Sequence, residues 1–337
     1  MGKRFGSGEE GVLERIRQAF EPAGRRSAGV RTLHRSKFVS LGMGDDAALV
    51  KAGRGREIVL TCDWFLEETH FLRDKHPADS VGWKCLARAV SDVAAMGGVP
   101  RCFLLSLALP EELAGPWLDG FLGGLKRAAG RFGCVLAGGD STERRDVLIN
   151  VTVVGEVASG RALLRSGARA GDIIFVSGQL GEAESGLRLL RGAKLVSLRD
   201  KRLRKHLYPE PRLALGRWLS EERVASAAID LSDGLSSDLR RLCMASGVGV
   251  VVDVGKLPAV RADEADGVEL ALHGGDDYEL LFTVAKKNAR RVPRSIGGTT
   301  LTAIGEMTRG REVMVVDEDG KKKILKASGW DPFRRLR

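Results

Sequence analysis

The stretch "AAIDLSDGLSSDLRRLCMAS", residues 227–246, joins an apolar run to a polar turn and then to a helix-like segment. It predicts a strand that ends at Asp230, followed by a helix that begins near Ser236. Asp230 and Asp233 then lie at the turn, where either side chain could simply cap the helix. Strands and helices alternate in both halves of the chain, which favours an α/β or α+β architecture.

The first half of the chain has the same alternation. We expect its first strand to be buried and to end in polar groups, and the strand "CVLAGGDS" to stop at its Gly-Gly-Asp turn. Asp92 falls in mid-helix among apolar neighbours, so part of its helix face should be buried. The predicted strands cover residues 57–63, 101–109, 134–141 and 147–157, and the predicted helices cover residues 9–20, 79–97 and 110–131.

A stretch rich in Gly, Ser and Arg, residues 158–172, interrupts this pattern. We place a domain boundary there, which gives an N-terminal domain of residues 1–158 and a C-terminal domain of residues 159–337. The second domain is also α/β by pattern. Besides residues 227–246, its sequence pattern predicts strands over residues 173–178, 268–270, 279–284 and 301–307 and a helix over residues 181–190.

Composition and charge limit the function classes. The chain has 337 residues, 43% of them hydrophobic and 29% charged, with a net charge of +10. Basic residues are dispersed and aromatic residues make up only 5%, which favours a solvated basic surface over a nucleic-acid interface. No apolar run is long enough to span a membrane. Five scattered cysteines without metal-ligand spacing favour a reducing cytoplasm.

Acidic residues recur at Gly-containing turns and at strand ends. Each could be an ordinary turn residue, because Asp is common there. Together, however, they offer the hard oxygen ligands that Mg²⁺ prefers, and glycine lets the backbone approach a phosphate. The chain has no P-loop, and "GSGEEG" at residues 6–11 follows no strand. We therefore expect a site for several Mg²⁺ ions and a nucleotide, formed around Asp45, Asp46, Asp63, Asp92, Asp140, Asp230, Asp233, Asp276 and Asp277.

Eight motifs in one order resemble the thiamine-monophosphate kinase family, within the aminoimidazole ribonucleotide synthetase-like superfamily. They are "GMGDDAA", "TCDWFLEETHF", "SDVAAMGGVP", "GGDS", "GRALLRSGARAGD", "DLSDGLSSDL", "GGDDYELLF" and "GWDPF", between about residue 40 and residue 333. The resemblance implies a two-domain fold: an N-terminal mixed sheet with helices that dimerises, and a C-terminal α/β domain that completes the active site. It also implies ATP- and Mg²⁺-dependent phosphorylation of thiamine monophosphate by a cytoplasmic homodimer, with no nucleic-acid or membrane partner.

The resemblance also implies site residues, carried over motif by motif. Asp92, Asp140 and Asp233 would be catalytic. The magnesium ligands would be Asp46, Thr61, Cys62 (through its carbonyl), Asp63, Asp92, Asp140, Asp230 and Asp233; ATP would contact Gly139, Asp140, Arg165 and Ser232; thiamine monophosphate would contact His70, Asp276 and Trp330. Three positions depart from the family pattern: Cys62 replaces Thr or Ser, Asp276 replaces Glu, and Pro332 replaces His.

Two other readings stay open at this point. One is another ATP-using member of the superfamily that acts on a different acceptor. Selenophosphate synthetase would need a Cys in residues 1–40 and the hydrogenase-maturation enzyme a C-terminal Cys, and neither is present. The other is a basic nucleic-acid-binding protein built on a kinase scaffold that has lost its activity. The net charge of +10 and the basic tail favour this alternative.

Overall fold

Two groups of strands and helices form separate compact units in the computed structural model of this protein. The structure describes residues 15, 18–19, 39–41, 49–50, 53–192, 197–198, 200–261 and 267–330. Unit 1 comprises the described residues up to Val93 together with Val99–Ser159. Unit 2 comprises Ala94–Gly98 and the described residues from Gly160 onward. Asp45, Asp46 and Pro332 lie outside the described residues.

Unit 1 is built on a four-stranded mixed sheet. Its strands lie in the order β3-β6-β4-β5, and only β4 and β5 run parallel. A helix connects these two, as a parallel pair requires. The elements are β1 (Val39–Leu41), β2 (Leu49–Val50), β3 (Arg56–Leu66), α1 (Ala78–Ala95), β4 (Val99–Leu109), α2 (Pro116–Phe132), β5 (Val135–Glu143) and β6 (Leu148–Ala158), with β1 and β2 forming a separate antiparallel pair.

The two faces of this sheet differ in burial. Phe65, Leu105 and Val151 lie on one face and are at most 3% exposed. Helix α1 covers this face, since the Arg88 guanidinium lies 5.5 Å from the centre of the Phe65 ring. The opposite face leaves Leu60 69% and Trp64 55% exposed. The sheet therefore has a closed face under the helices and an open face.

Unit 2 is built on an eight-stranded mixed sheet. Its order is β14-β13-β9-β12-β7-β10-β8, with β11 paired to β12, and only β13 and β9 run parallel. The elements are β7 (Ile173–Ser177), α3 (Glu182–Gly192), α4 (Arg204–Leu207), α5 (Leu213–Glu222), β8 (Ala225–Leu231), α6 (Leu235–Ser246), β9 (Gly249–Asp253), α7 (Gly267–His273), β10 (Glu279–Val284), β11 (Ser295–Ile296), β12 (Thr299–Thr308), β13 (Val313–Val316) and β14 (Lys322–Ile324).

Two hydrophobic cores lie on this sheet. Leu235, Leu239 and Leu242 of α6 pack in one core, and Leu215 and Leu219 of α5 pack in the other. The spacing of these leucines by three or four residues buries one face of each helix. Within the described residues, no helix is long and apolar enough to cross a membrane.

Most predicted elements are confirmed, including the strand through Asp230 and the helix after it. The predicted strand at residues 268–270 is wrong: these residues lie in helix α7, where Ala271 and Leu272 pack against the α6 core. The predicted helix from Pro110 is interrupted, because a short 3-10 turn ends before α2 begins at Pro116. Of the predicted N-terminal helix, Arg15, Gln18 and Ala19 are helical, and its other residues lie outside the described part.

Two strand predictions also need correction. Strand β3 does not end at Asp63 but continues to Leu66, because it pairs with β6 along its whole length. It is half-exposed rather than buried, since one of its faces belongs to the open face of the sheet. Strand β5 likewise continues through Gly139 and Asp140 to Glu143, held by parallel pairing with β4.

Helices α1 and α2 approach at two glycines. A Cβ on Gly82 would lie 2.0 Å from the Phe121 carbonyl oxygen, and one on Gly124 would lie 1.8 Å from the Asp79 carbonyl oxygen. No real Cβ tolerates such a distance to backbone, so both helices pack with direct backbone contact. Gly123, one residue earlier on α2, has only the Arg127 Nη1 within reach, at 3.9 Å.

We expect Gly124→Ala to lower the free energy of unfolding by about 2 kcal/mol or more, because the helices must separate. Gly123→Ala, the matched control, is expected to raise it by up to ~1 kcal/mol, since Ala favours the helix. Urea unfolding monitored by circular dichroism measures both. Equal stability of the two variants would contradict the packing argument.

Candidate active site

Thr61 and Asp92 form the first contact among the predicted site residues. The Thr61 hydroxyl on β3 donates a hydrogen bond to the Asp92 carboxylate on α1. Both side chains are half-buried, on the closed face of the sheet. The partial burial of Asp92 predicted from its apolar neighbours is confirmed. A helix carboxylate and a strand hydroxyl, two groups that could hold a metal ion, are thus fixed side by side.

The side chains of Cys62 and Asp63 point to opposite faces, because side chains alternate along a strand. Asp63 is half-buried on the same face as Thr61. Cys62 is exposed on the open face, where its sulfur lies 3.2 Å from the side-chain amide of Asn150. The thiol therefore faces away from Thr61, Asp63 and Asp92, and only the Cys62 backbone belongs to their side of the strand.

Gly139 and Asp140 lie on the edge strand β5. Gly139 is required there, because a Cβ would lie 1.8 Å from the Leu105 carbonyl oxygen. Asp140 is exposed, is paired in register with Ser106, and accepts a hydrogen bond of 2.9 Å from the Ser141 N–H. Strands β6 and β4 separate it from Asp63, a distance of roughly 14 Å at ~4.8 Å per strand. The structure does not bring Asp140 into the Thr61–Asp92 group.

Three loops of unit 2 meet through backbone hydrogen bonds. The Asp276 N–H donates to the Ser232 carbonyl at 2.8 Å, and the Trp330 N–H donates to the Asp233 carbonyl at 2.9 Å. Gly329 permits the second contact, since a Cβ there would lie 2.0 Å from the Asp233 carbonyl oxygen. Four predicted site residues therefore come together, although they lie in three separate motifs. Asp230, at the end of β8, is buried directly before this loop.

The Asp233 carboxylate has partners that sequence reasoning missed. Arg241 of α6 lies 2.5 Å from Asp233 and also 2.5 Å from Asp238. Asp238 is buried and accepts hydrogen bonds from the backbone N–H groups of Ser232 (3.1 Å) and Asp233 (3.0 Å). Burial, reinforced by the negative charge of Asp233, raises the pKa of Asp238 to about 7. The only sequence signal was the additional Asp within "DLSDGLSSDL".

The motif "GGDDYE" divides into structural and accessible residues. Asp277 is buried and accepts from the N–H groups of Gly181 (2.6 Å) and Ala183 (3.1 Å), at the start of α3. Burial raises the pKa of Asp277 to about 7. Asp276 is half-buried and accepts a hydrogen bond of 2.6 Å from the Tyr278 hydroxyl. Asp276, not Asp277, is the member of the pair that lies beside the other loops.

Glu279 completes this motif as a buried anchor. Its carboxylate is fully buried and accepts hydrogen bonds from Lys205, Arg212 and the Ser177 hydroxyl. Burial alone would raise the pKa of Glu279, but the positive charges of Lys205 and Arg212 outweigh it and hold the pKa below its usual value. Sequence reasoning did not single out this residue.

His70 and Arg165 lie apart from these groups. The His70 Nδ1 accepts a hydrogen bond of 3.0 Å from the Leu66 N–H, and the ring stacks on Phe65 at 5.7 Å between centroids. The Arg165 carbonyl accepts a hydrogen bond of 2.9 Å from the Ser246 hydroxyl, at the far end of α6 from the Ser232 loop. The Arg165 side chain is exposed.

The donor chemistry of both units fits a hard cation. Carboxylates and a hydroxyl are suitable Mg²⁺ ligands. Among the described residues, no three Asp, Glu, His or Cys side chains form a group that could hold a metal by themselves. Mg²⁺ commonly uses one or two carboxylates and takes its remaining ligands from water and substrate phosphates. The Thr61–Asp92 pair and the Asp233 loop offer donors that would suit such an open site.

Family models match both halves of the chain. Residues 44–157 match the AIR synthase related protein, N-terminal domain, and residues 169–318 match the AIR synthase related protein, C-terminal domain. The predicted superfamily fold is therefore confirmed.

Individual relatives are more specific. The chain is 39% identical to the thiamine-monophosphate kinase of Salmonella typhimurium, over 88% of this chain and 92% of that protein. The crystal structure of thiamine-monophosphate kinase from Stenotrophomonas maltophilia K279a is similar with a TM-score of 0.78 and 35% identity, covering 92% of this chain and 96% of that one. A structure of AaThiL complexed with AMPPCP and TMP is similar with a TM-score of 0.75 and 34% identity, covering 97% of both chains.

Proposed function

This chain belongs to the thiamine-monophosphate kinase family, and we propose that it transfers the γ-phosphate of ATP to thiamine monophosphate, giving thiamine diphosphate and ADP. The observation that carries the proposal is the 39% identity to a kinase of that name along most of both chains. The loops that place Ser232, Asp233, Asp276 and Trp330 together give it independent support.

The acceptor needs little chemical activation. A phosphate monoester has a second pKa near ~6 and is mostly a dianion at neutral pH. Its oxygen can attack the γ-phosphorus without a strong general base. Phosphoryl transfer then depends on in-line positioning and on neutralising the negative charge of two phosphate groups. The acidic, glycine-rich loops suit this task if cations are bound among them.

We propose that Mg²⁺ is bound by each unit through the residues predicted from sequence. In unit 1 these are Thr61, Asp63 and Asp92, with the Cys62 carbonyl as a further oxygen donor, while Asp140, which lies apart on β5, would bind a separate ion. In unit 2 they are Asp230 and Asp233. Asp46 remains a proposed ligand outside the described residues. When bound, the metal supplies charge neutralisation to the phosphate oxygens. Asp92, Asp140 and Asp233 are the proposed catalytic carboxylates.

The nucleotide and the acceptor are assigned to different side chains. Gly139 is exposed on the edge strand β5, and we assign its backbone to an ATP phosphate beside Asp140. Ser232 and the exposed Arg165 supply a hydroxyl and a positive charge for ATP. For thiamine monophosphate we propose His70, Asp276 and Trp330. The indole of Trp330, 42% exposed, can stack on the cationic thiazolium ring, with the Asp276 carboxylate as its counter-charge.

The direct test is conversion of thiamine monophosphate with ATP, with and without Mg²⁺, measured by chromatography. We expect thiamine diphosphate only when Mg²⁺ is present. If the purified protein gives no product while ATP still raises its unfolding temperature, the acceptor proposal is wrong and another phosphate acceptor must be sought. Salt-dependent binding of random DNA would instead favour the basic-scaffold reading.

Asp92→Asn tests the proposed metal ligand. Asn keeps the acceptor oxygen for Thr61 but loses the charge, so we expect the fold to persist while turnover falls at least ~100-fold. Asp74→Asn is the control, because Asp74 is exposed in the same unit and belongs to no proposed site. Wild-type turnover by Asp92→Asn would remove Asp92 from the metal site.

We also propose that the protein is a homodimer that pairs the open faces of the unit 1 sheet. Ile58, Leu60, Trp64 and Leu104 are 39%, 69%, 55% and 38% exposed on this face. Leu60 and Leu104 lie on the same face on either side of β6, where their strands pair with Val154 and Thr152. Exposed apolar side chains collected on one face are typical of an interaction surface.

Leu60→Arg is expected to convert the dimer to a monomer in light scattering coupled to gel filtration, since it places a charge in the proposed interface. The control is Ile324→Arg, which alters an exposed aliphatic residue on a strand of unit 2. A monomeric wild-type protein, or a dimer that survives Leu60→Arg, would refute this interface.

A cytoplasmic location is the remaining proposal. ATP is a cytoplasmic substrate, and the five cysteines Cys62, Cys85, Cys102, Cys134 and Cys243 are all free thiols. Unpaired cysteines are typical of a reducing compartment.

A further inference from the structure

Residues Asp276 and Tyr278 adopt a strained backbone. Their φ angles are 66° and 51°, in the left-handed region that non-glycine residues seldom enter. Such a conformation is unfavourable for a residue with a side chain and persists only where its surroundings enforce it. Two such residues within three positions indicate that contacts with other segments hold the Gly274–Tyr278 loop in this conformation.

The surroundings that enforce this conformation lie on both sides of the loop. The Asp276 N–H donates to the Ser232 carbonyl at 2.8 Å, and the Tyr278 N–H donates to the Leu231 carbonyl at 2.9 Å. Between them, Asp277 is buried against the backbone of α3. After them, Glu279 is buried under Lys205 and Arg212. Asp277 and Glu279 thus hold the loop through buried contacts, and Asp276 is the half-buried acidic residue of the motif.

Tyr278 contacts Asp276 directly. The Tyr278 hydroxyl donates a hydrogen bond of 2.6 Å to Oδ1 of Asp276, and the tyrosine is only 2% exposed. A packed tyrosine ring has two side-chain torsions, both fixed here by burial, so its hydroxyl is a stationary donor. Hydrogen bonds to a charged carboxylate are among the stronger ones in proteins. The Asp276 carboxylate is thereby held in one orientation.

The aromatic residue Trp330 is held beside Asp276 by the Ser232–Asp233 backbone. Asp276 and Trp330 bond to the consecutive carbonyls of Ser232 and Asp233. A carboxylate and a partly exposed indole are thus fixed on one short stretch of backbone, an arrangement suited to a cationic heterocycle. Asp276 is one methylene shorter than the family's usual Glu. The position of its carboxylate therefore depends more on the orientation of the side chain than on its length.

We propose that Tyr278 is a positioning residue that orients Asp276 and so sets selectivity for the cationic, nitrogen-rich half of the acceptor. The inference rests on the proposed function, because it takes the acceptor to be thiamine monophosphate. Tyr278 itself does not touch the substrate. Its effect is confined to acceptor binding and does not extend to the nucleotide.

Tyr278→Phe removes the hydroxyl and keeps the ring packing. We expect the dissociation constant for thiamine monophosphate, measured by calorimetry without ATP, and the KM for the same substrate to rise about tenfold. The kcat and the KM for ATP should change less than ~2-fold, and the unfolding temperature should be nearly unchanged. Tyr208→Phe, at the only other tyrosine of the chain, is the matched control and should leave every value unchanged.

A double-mutant cycle separates positioning from a general structural effect. In an Asp276→Ala background, Tyr278→Phe should weaken acceptor binding no further. If the hydroxyl loss is equally costly in both backgrounds, or if it changes kcat and ATP binding as much as acceptor binding, Tyr278 does not act through Asp276 and the proposal is overturned.

The contact itself can be observed without turnover. With two tyrosines in the chain, ¹³Cζ-tyrosine labelling gives two NMR signals, which Tyr208→Phe assigns. Asp276→Ala should shift the Tyr278 signal and leave the Tyr208 signal in place; an unmoved Tyr278 signal would refute the contact. Should the wild-type protein fail to bind thiamine monophosphate while this shift is seen, the proposed acceptor is wrong and the positioning of Asp276 stands.

Discussion

The arrangement of loops in unit 2 depends on the fully buried carboxylate of Glu279. An isolated buried charge is too costly to persist, so Glu279 requires the cations around it. Lys205 comes from α4, Arg212 from the turn before α5, and the Ser177 hydroxyl from the end of β7. One side chain thus ties three separate segments to the first residue of β10. Removing both cations would leave the buried charge of Glu279 without compensation.

The conformation of the Gly274–Tyr278 loop, which precedes Glu279, depends on this buried anchor. Asp277 fixes the middle of the loop to the start of α3, and the backbone of β8 fixes its two flanks. With both ends set, Asp276 and Tyr278 are held in left-handed conformations that neither would choose alone. The strain is located at the acidic residue that we assign to the acceptor, as is common at functional sites.

Unit 1 uses a different constraint, the alternation of side chains along β3. Thr61 and Asp63 face the helices, while Leu60, Cys62 and Trp64 face outward. The closed face holds the Thr61–Asp92 pair, and the open face holds the exposed apolar surface. A shift of the strand by one residue would exchange the residues on the two faces. The eleven-residue pairing with β6 fixes the register and therefore keeps each set on its own face. The proposed metal ligation and the proposed dimerisation therefore both depend on one strand register.

The sequence by itself determined the α/β alternation, most element positions and the identity of the acidic turn residues, since apolar periodicity and Gly-Asp turns are local signals. It did not determine where β3 and β5 end, because strand length is decided by the partner strand rather than by the residues at the strand's end. Nor did it separate helix α7 from a strand, since the three-residue segment Val-Glu-Leu is too short to show a period. Only the tertiary structure decided that Asp276 is half-buried beside the Ser232 loop while Asp277 is fully buried. It also decided that the proposed site is supported by Asp238, Arg241, Tyr278 and Glu279. Those roles depend on contacts between residues distant in the chain, where burial and a charged neighbour, not residue type, distinguish one carboxylate from the next.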